Sequence, residues 1–109
     1  MSDTDTILAR DVSRDQLVAE LRALRPTLES HGVTHMTLFG SRARQDNRPD
    51  SDIDLAIEIE EGRKFSLIDL VRVERLVGIN VGLLANLFIR RSLDGGFIAQ
   101  IARDGIEIY

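Results

Sequence analysis

The chain has no cysteine, which removes disulfides, thiol nucleophiles and thiolate metal sites together and accords with a reducing compartment. Only two prolines interrupt its 109 residues, and no apolar run is long enough to span a bilayer. The opening, Met1 to Asp11, carries acids where a signal peptide needs basic and then apolar residues. A cytoplasmic location with no membrane attachment is the expectation. Positive charge is also short, 14 Lys and Arg against 18 Asp and Glu, for a net charge of −4. Autonomous binding to duplex nucleic acid, which runs on phosphate neutralisation, is therefore not expected.

What is present is the composition of a soluble globular domain, 43% hydrophobic and 29% charged. The length suits a single core and leaves no room for a second globular unit. Residues 1–12 are read as an N-terminal segment where any disorder is concentrated, and 13–109 as one domain. No internal repeat, low-complexity tract or linker divides it. Self-association is left open.

From Ser13 the apolar residues Leu17, Val18, Leu21, Leu24 and Leu28 recur at helical spacing. Ser13 and Gln16 stand in capping-box relation and Gly32 is a stop, so a helix is expected over 13–31, kinked or divided at Pro26. Val33 to Phe39 reads as a strand, followed by a helical turn at Arg42 to Gln45 and a second strand from Asp52 to Ile59. A loop at Gly62-Arg63-Lys64 precedes a helix over Phe65 to Val77, a third strand over Ile79 to Phe88 and a helix from Ser92 through Arg103. Ile106 to Tyr109 would close the sheet. Strands separated by helices point to a small α/β or α+β unit, a mixed β-sheet flanked by helices.

The stretch that carries chemistry runs from Gly40 to Leu55, Gly-Ser-Arg-Ala-Arg-Gln-Asp-Asn-Arg-Pro-Asp-Ser-Asp-Ile-Asp-Leu. Gly40-Ser41 falls where a strand turns into a helix and leaves backbone N–H groups free for an anion. Asp52 and Asp54 are two apart, so their carboxylates share one face of the following strand, with Ile53, Leu55 and Ile57 facing the other way. Two carboxylates together with substrate phosphates are the usual way of holding Mg²⁺. Arg42, Arg44 and Arg48 cluster around the motif, either to meet phosphate or as a solvated charged loop. Glu58 extends the carboxylate face but lies about 13 Å from Asp54 at strand spacing. His31 and His35 are isolated and read as structural or exposed.

Phe39-Gly40-Ser41-Arg42-Ala43-Arg44, Ser51-Asp52-Ile53-Asp54-Leu55, Ile79-Asn80-Val81-Gly82-Leu83-Leu84 and Ile106-Glu107-Ile108-Tyr109 together resemble the minimal nucleotidyltransferase (MNT) family, within the DNA polymerase β-like nucleotidyltransferase superfamily. The similarity covers roughly Gly32 to Tyr109. It implies a polymerase β-like fold and Mg²⁺-dependent transfer of AMP from ATP to an acceptor hydroxyl. Gly40 and Ser41 would hold the β- and γ-phosphates, Arg44 would add a phosphate contact, and Asp52 and Asp54 would bind the metal. Small members of the family often act as antitoxins beside a helical HEPN-domain protein, and some adenylate a tyrosine on it. The resemblance therefore implies a HEPN partner and a protein tyrosine as acceptor.

Two positions depart from the family pattern. Gln45 stands where a glycine is usual. Gly82, read as lying in the third strand, stands where a third catalytic aspartate is expected, one that completes a second metal site and helps deprotonate the acceptor. That opens an alternative: a catalytically impaired nucleotide-binding module that acts by occluding a partner. Asn80, on the same expected face, offers only a neutral amide. A purely structural domain would bind neither nucleotide nor Mg²⁺.

Overall fold

The computed structural model describes residues 9–109. Most of the N-terminal segment, residues 1–8, lies outside the described residues. Helix α1 (Arg14–Ala23) starts where the Ser13 hydroxyl accepts from the Gln16 amide, and it ends because Pro26 occupies the first turn of a separate helix, α2 (Arg25–Ser30). Gly32, at φ +90°, then turns the chain into β1 (Val33–Phe39). A single helical turn, α3 (Ser41–Arg44), precedes β2 (Ile53–Ile59), α4 (Leu67–Val81) and β3 (Ala85–Ile89). A 3₁₀ turn at Arg90–Ser92, α5 (Gly95–Asp104) and the two-residue strand β4 (Ile106–Glu107) complete the chain.

The four strands form one mixed sheet in the order β3-β2-β1-β4. β1 pairs antiparallel with β2 and β4, whereas β2 and β3 run parallel, with α4 as the crossover between them. Alternation along β2 sends Ile53, Leu55 and Ile57 into a large aliphatic core with Leu17, Leu21, Leu28, Met36, Leu38, Val73, Val77 and Leu87. The opposite face carries Asp54 and Ala56, and there Ala56 joins Phe39 and Ile101 in a smaller cluster with Phe88 and Leu93. The sheet is thus fully covered by α1, α2 and α4 on one side and covered mainly by α5 on the other.

Several boundaries differ from the sequence reading. The run Ile79-Asn80-Val81 is the last turn of α4, not the start of a strand, and Gly82 is the left-handed residue (φ +69°) that ends the helix. Asn80 accordingly spends its side-chain amide on the Leu76 carbonyl, 2.8 Å away. Helix α5 is capped by Asp94, whose carboxylate accepts from the Phe97 amide at 3.0 Å, because Ser92 is taken up in the preceding turn. The terminal strand is limited to Ile106–Glu107.

Two polar contacts pin the helices to the frame. Arg10 grips the Glu20 carboxylate with both guanidinium nitrogens, at 2.5 and 2.7 Å, and donates to the Val81 carbonyl at the end of α4. On the outer border of β3, Glu74 of α4 accepts from the Leu87 backbone N–H at 2.9 Å. Among the described residues no helix is long and apolar enough to cross a membrane.

Candidate active site

The site assembles at the end of β1. Gly40 has φ +78°, open only to glycine without strain, and a Cβ built there would stand 2.5 Å from the Asp54 Oδ2 atom. Glycine is required twice over, for the turn and for the close approach of the carboxylate. Ser41 opens α3 immediately after it, so the turn starts one residue from the point where the Asp54 carboxylate approaches the backbone. Asp52 sits just before β2 and Asp54 one residue inside it. One amide nitrogen bridges the pair: Asn86 Nδ2 donates to Asp52 Oδ2 at 3.1 Å and to Asp54 Oδ1 at 3.2 Å. The two carboxylates therefore converge, and they do so next to the Gly40-Ser41 turn.

Asn86 was missed by the sequence reading, and it replaces Gly82 as the informative position. In the parallel β2–β3 register Asp54 stands opposite Asn86, so the third place around the carboxylate pair belongs to Asn86. Gly82 lies at the helix end, where an added Cβ would meet only Arg10 Cδ at 3.8 Å. The signals were available: Gly82 as a helix stop, then Ala85-Asn86-Leu87-Phe88-Ile89, a short strand-length apolar run broken only by Asn86. Among the described residues no three Asp, Glu, His or Cys side chains gather as a metal cluster.

The three arginines separate. Arg42 is buried, and its guanidinium donates to the carbonyls of Ser51 (3.0 Å), Pro49 (3.1 Å), Arg48 and Arg10 (both 3.3 Å). It clamps the loop that delivers Asp52 and is structural. Arg48 pairs with Asp50 at the surface. Arg44 reaches Asp46 at 3.0 Å and Asp104 at 3.9 Å, so its charge faces the site from within a carboxylate cage. His31 caps α2 through the Thr27 carbonyl, and His35 faces Glu58 near the other end of the β1–β2 pair, away from the site.

Electrostatics mark Asp54. Burial pushes its carboxyl above the ordinary aspartate range and the charge of Asp52 adds to this, while the Asn86 hydrogen bond and the charge of Arg44 pull it down. Beside it three of the chain's few aromatic rings meet: Phe39 and Phe88 at 5.7 Å, Phe39 and Phe97 at 6.0 Å, Phe88 and Phe97 stacked at 5.5 Å. Gln45, the other departure from the family pattern, takes the left-handed conformation (φ 67°) that a glycine would adopt freely. With its amide oxygen turned toward Arg14 it accepts from both guanidinium nitrogens, at 3.1 and 3.0 Å.

A doublet of carboxylates facing a glycine-serine turn on a four-stranded mixed sheet defines a nucleotidyltransferase-type fold. The family described as Polymerase beta, Nucleotidyltransferase matches residues 22–109, and the chain belongs to it. Protein adenylyltransferase MntA of Thermococcus cleftensis is 29% identical over 92 residues, 84% of this chain and 88% of that protein. A relative in Methanocaldococcus jannaschii, provisionally named protein adenylyltransferase MJ0435, is 42% identical over 67 residues, 58% of this chain and 70% of the relative. Among solved structures, one described provisionally as a minimal nucleotidyltransferase superposes with a TM-score of 0.72 at 30% identity, over 88% of this chain and 96% of that one. A complex of the tri-AMPylated Shewanella oneidensis HEPN toxin with an MNT antitoxin shares the fold, with a TM-score of 0.64 at 16% identity over 85% of this chain and 71% of that one.

Proposed function

We propose that the chain is an MntA-like adenylyltransferase of a toxin–antitoxin pair, moving AMP from ATP to a tyrosine hydroxyl on a HEPN-domain partner. The convergence of Asp52 and Asp54 on the Gly40-Ser41 turn carries this reading. The donor set fits Mg²⁺, a hard cation that takes one or two carboxylates plus phosphate oxygens, and the two carboxylates are close enough to be bridged by one amide nitrogen. When bound, the ion would screen charge on the triphosphate. Gly40 and Ser41 would offer backbone N–H groups and a hydroxyl to the β- and γ-phosphates, and Arg44 would exchange a carboxylate partner for phosphate. The acceptor hydroxyl would release its proton to water as its oxygen bonds to the α-phosphorus, the bond to the β-phosphate bridge breaks, and pyrophosphate leaves.

The second reading, a nucleotide-binding partner module with impaired turnover, is favoured by Asn86. A neutral amide is a poor ligand for a hard cation and cannot take the acceptor's proton. Titration of Mg-ATP into the wild type and Asp52→Asn, followed by label transfer from ATP to a co-purified HEPN protein, separates the readings. The transferase reading expects binding lost in the variant and label on the partner. Binding without label, with label gained in Asn86→Asp by about 10²-fold or more, supports the impaired module. Absence of nucleotide binding in the wild type overturns both.

A further inference from the structure

Helix α4 is apolar on two opposite sides. Val73, Val77 and Val81 are buried against the sheet. At 100° per residue, Ile68, Val71, Arg75 and Ile79 fall on the other side of the same helix, roughly opposite Val77. There Ile68 is 70% exposed and Ile79 77%, with Val71 at 46% and Leu84, just past the helix end, at 57%. A contiguous ridge of large aliphatic side chains left to water marks an interaction site in a soluble domain. It lies on the side of the sheet away from Asp52, Asp54 and Asn86.

Charge says what covers it. In the shallow depression along this ridge the charged side chains are Arg72 and Arg75. Arg72 reaches Asp69 at 3.7 Å at the rim, and Arg75 makes no ion pair among the described residues. At the Leu84 end Glu74 also borders the ridge, but its carboxylate accepts from the Leu87 N–H, so the unpaired charge along the strip is that of Arg75, on a chain whose net charge is −4. Both arginines sit near the middle of α4, so a symmetric pairing of two copies through this face would set them against their own equivalents, a like-charge contact that disfavours self-association. The complement is an apolar ridge at helical spacing edged with Asp or Glu.

We propose that the solvent face of α4 docks an amphipathic helix with acidic edges, supplied by a helical partner and leaving the nucleotide cleft open. Its assignment to the HEPN protein rests on the function proposed above. Holding the partner and modifying it would then use opposite sides of the sheet.

The probes are two synthetic helical peptides with the same leucine ridge, one edged with Glu and one with Lys, titrated into the full chain by fluorescence anisotropy and amide shift mapping. The Glu-edged peptide should perturb α4 resonances, and Ile79→Asp or Arg75→Glu should weaken it by about thirtyfold, as expected at an interface hot spot. The double variant Arg72→Glu with Arg75→Glu should prefer the Lys-edged peptide. Equal binding of both peptides by the wild type, shifts confined to other elements, or a wild-type dimer that Ile79→Asp dissolves would overturn the proposal. A HEPN protein that binds wild type and Ile79→Asp alike would also overturn it, while leaving the adenylyltransferase reading intact. Mg-ATP titration tests that reading separately, since Ile79→Asp should leave nucleotide affinity unchanged.

Discussion

Along β2 neighbouring side chains do opposite work. Ile53, Leu55 and Ile57 vanish into aliphatic packing, while Asp54, between them, is held against a backbone turn with its charge partly desolvated. The packed face follows local rules in its main features: apolar residues at strand alternation, α1 and α4 capped by Ser13 and Ser66, and Pro26 at a helix start. The site face breaks several, with Gly40 at φ +78°, Gln45 at φ 67° and a carboxyl whose charged form is disfavoured. Stability is accumulated on one side of the sheet and spent on the other, where binding needs converging charge.

Substitutions can break that division or sharpen it. Leu55→Ala, on the packed face, should cost about 2–5 kcal/mol in urea denaturation while the remaining folded protein keeps its Mg-ATP affinity in calorimetry. Gly40→Ala forces a Cβ toward Asp54 and a side chain into a left-handed conformation, so it should cost about 1–3 kcal/mol and abolish nucleotide binding as well. A site-face change that leaves binding intact would dissolve the contrast. Asp54→Asn should move the other way, gaining about 1 kcal/mol at pH 7 in thermal melts while losing Mg-ATP binding. The sign follows from Asp54 itself. Its folded pKa is raised, so the native penalty is fully present above that pKa, shrinks as the pH falls through it and is absent below the ordinary aspartate value of about 4, and the variant's advantage should fade over that window.

The smallest effect sits on the packed side and runs with the opposite pH dependence. The Arg10 guanidinium, with help from Gln16, holds the Glu20 carboxyl down at about 2. That contribution is present above the ordinary glutamate range and lost as the pH falls through the window from about 4.5 to about 2. In melts across this range Glu20→Gln should flatten the acid limb only slightly, because the pair is partly exposed and screened.

How far the sequence could be read follows from the same division. β1 was legible to the residue, since an apolar run bounded by Gly32 and Gly40 has one interpretation. The shared face of Asp52 and Asp54 followed from alternation alone. The division of the first helix at Pro26 followed from a missing donor. The boundary between α4 and β3 was misread because Ile79-Asn80-Val81 is apolar enough for either structure, and a short run does not choose. That one slip moved the third place around the carboxylates from Asn86 to Gly82. The burial of Arg42 was not legible, because its partners are four backbone carbonyls with no sequence signature. Nor was the exposure of Ile68 and Ile79, whose spacing is equally that of a core-facing helix.

Glu74 has a bearing on how this chain can join others. By occupying the Leu87 N–H it removes a central donor from the free edge of β3, and at the far border β4 is only two residues long. Ribbon-to-ribbon growth, the route to fibrous aggregates, finds little purchase at either margin.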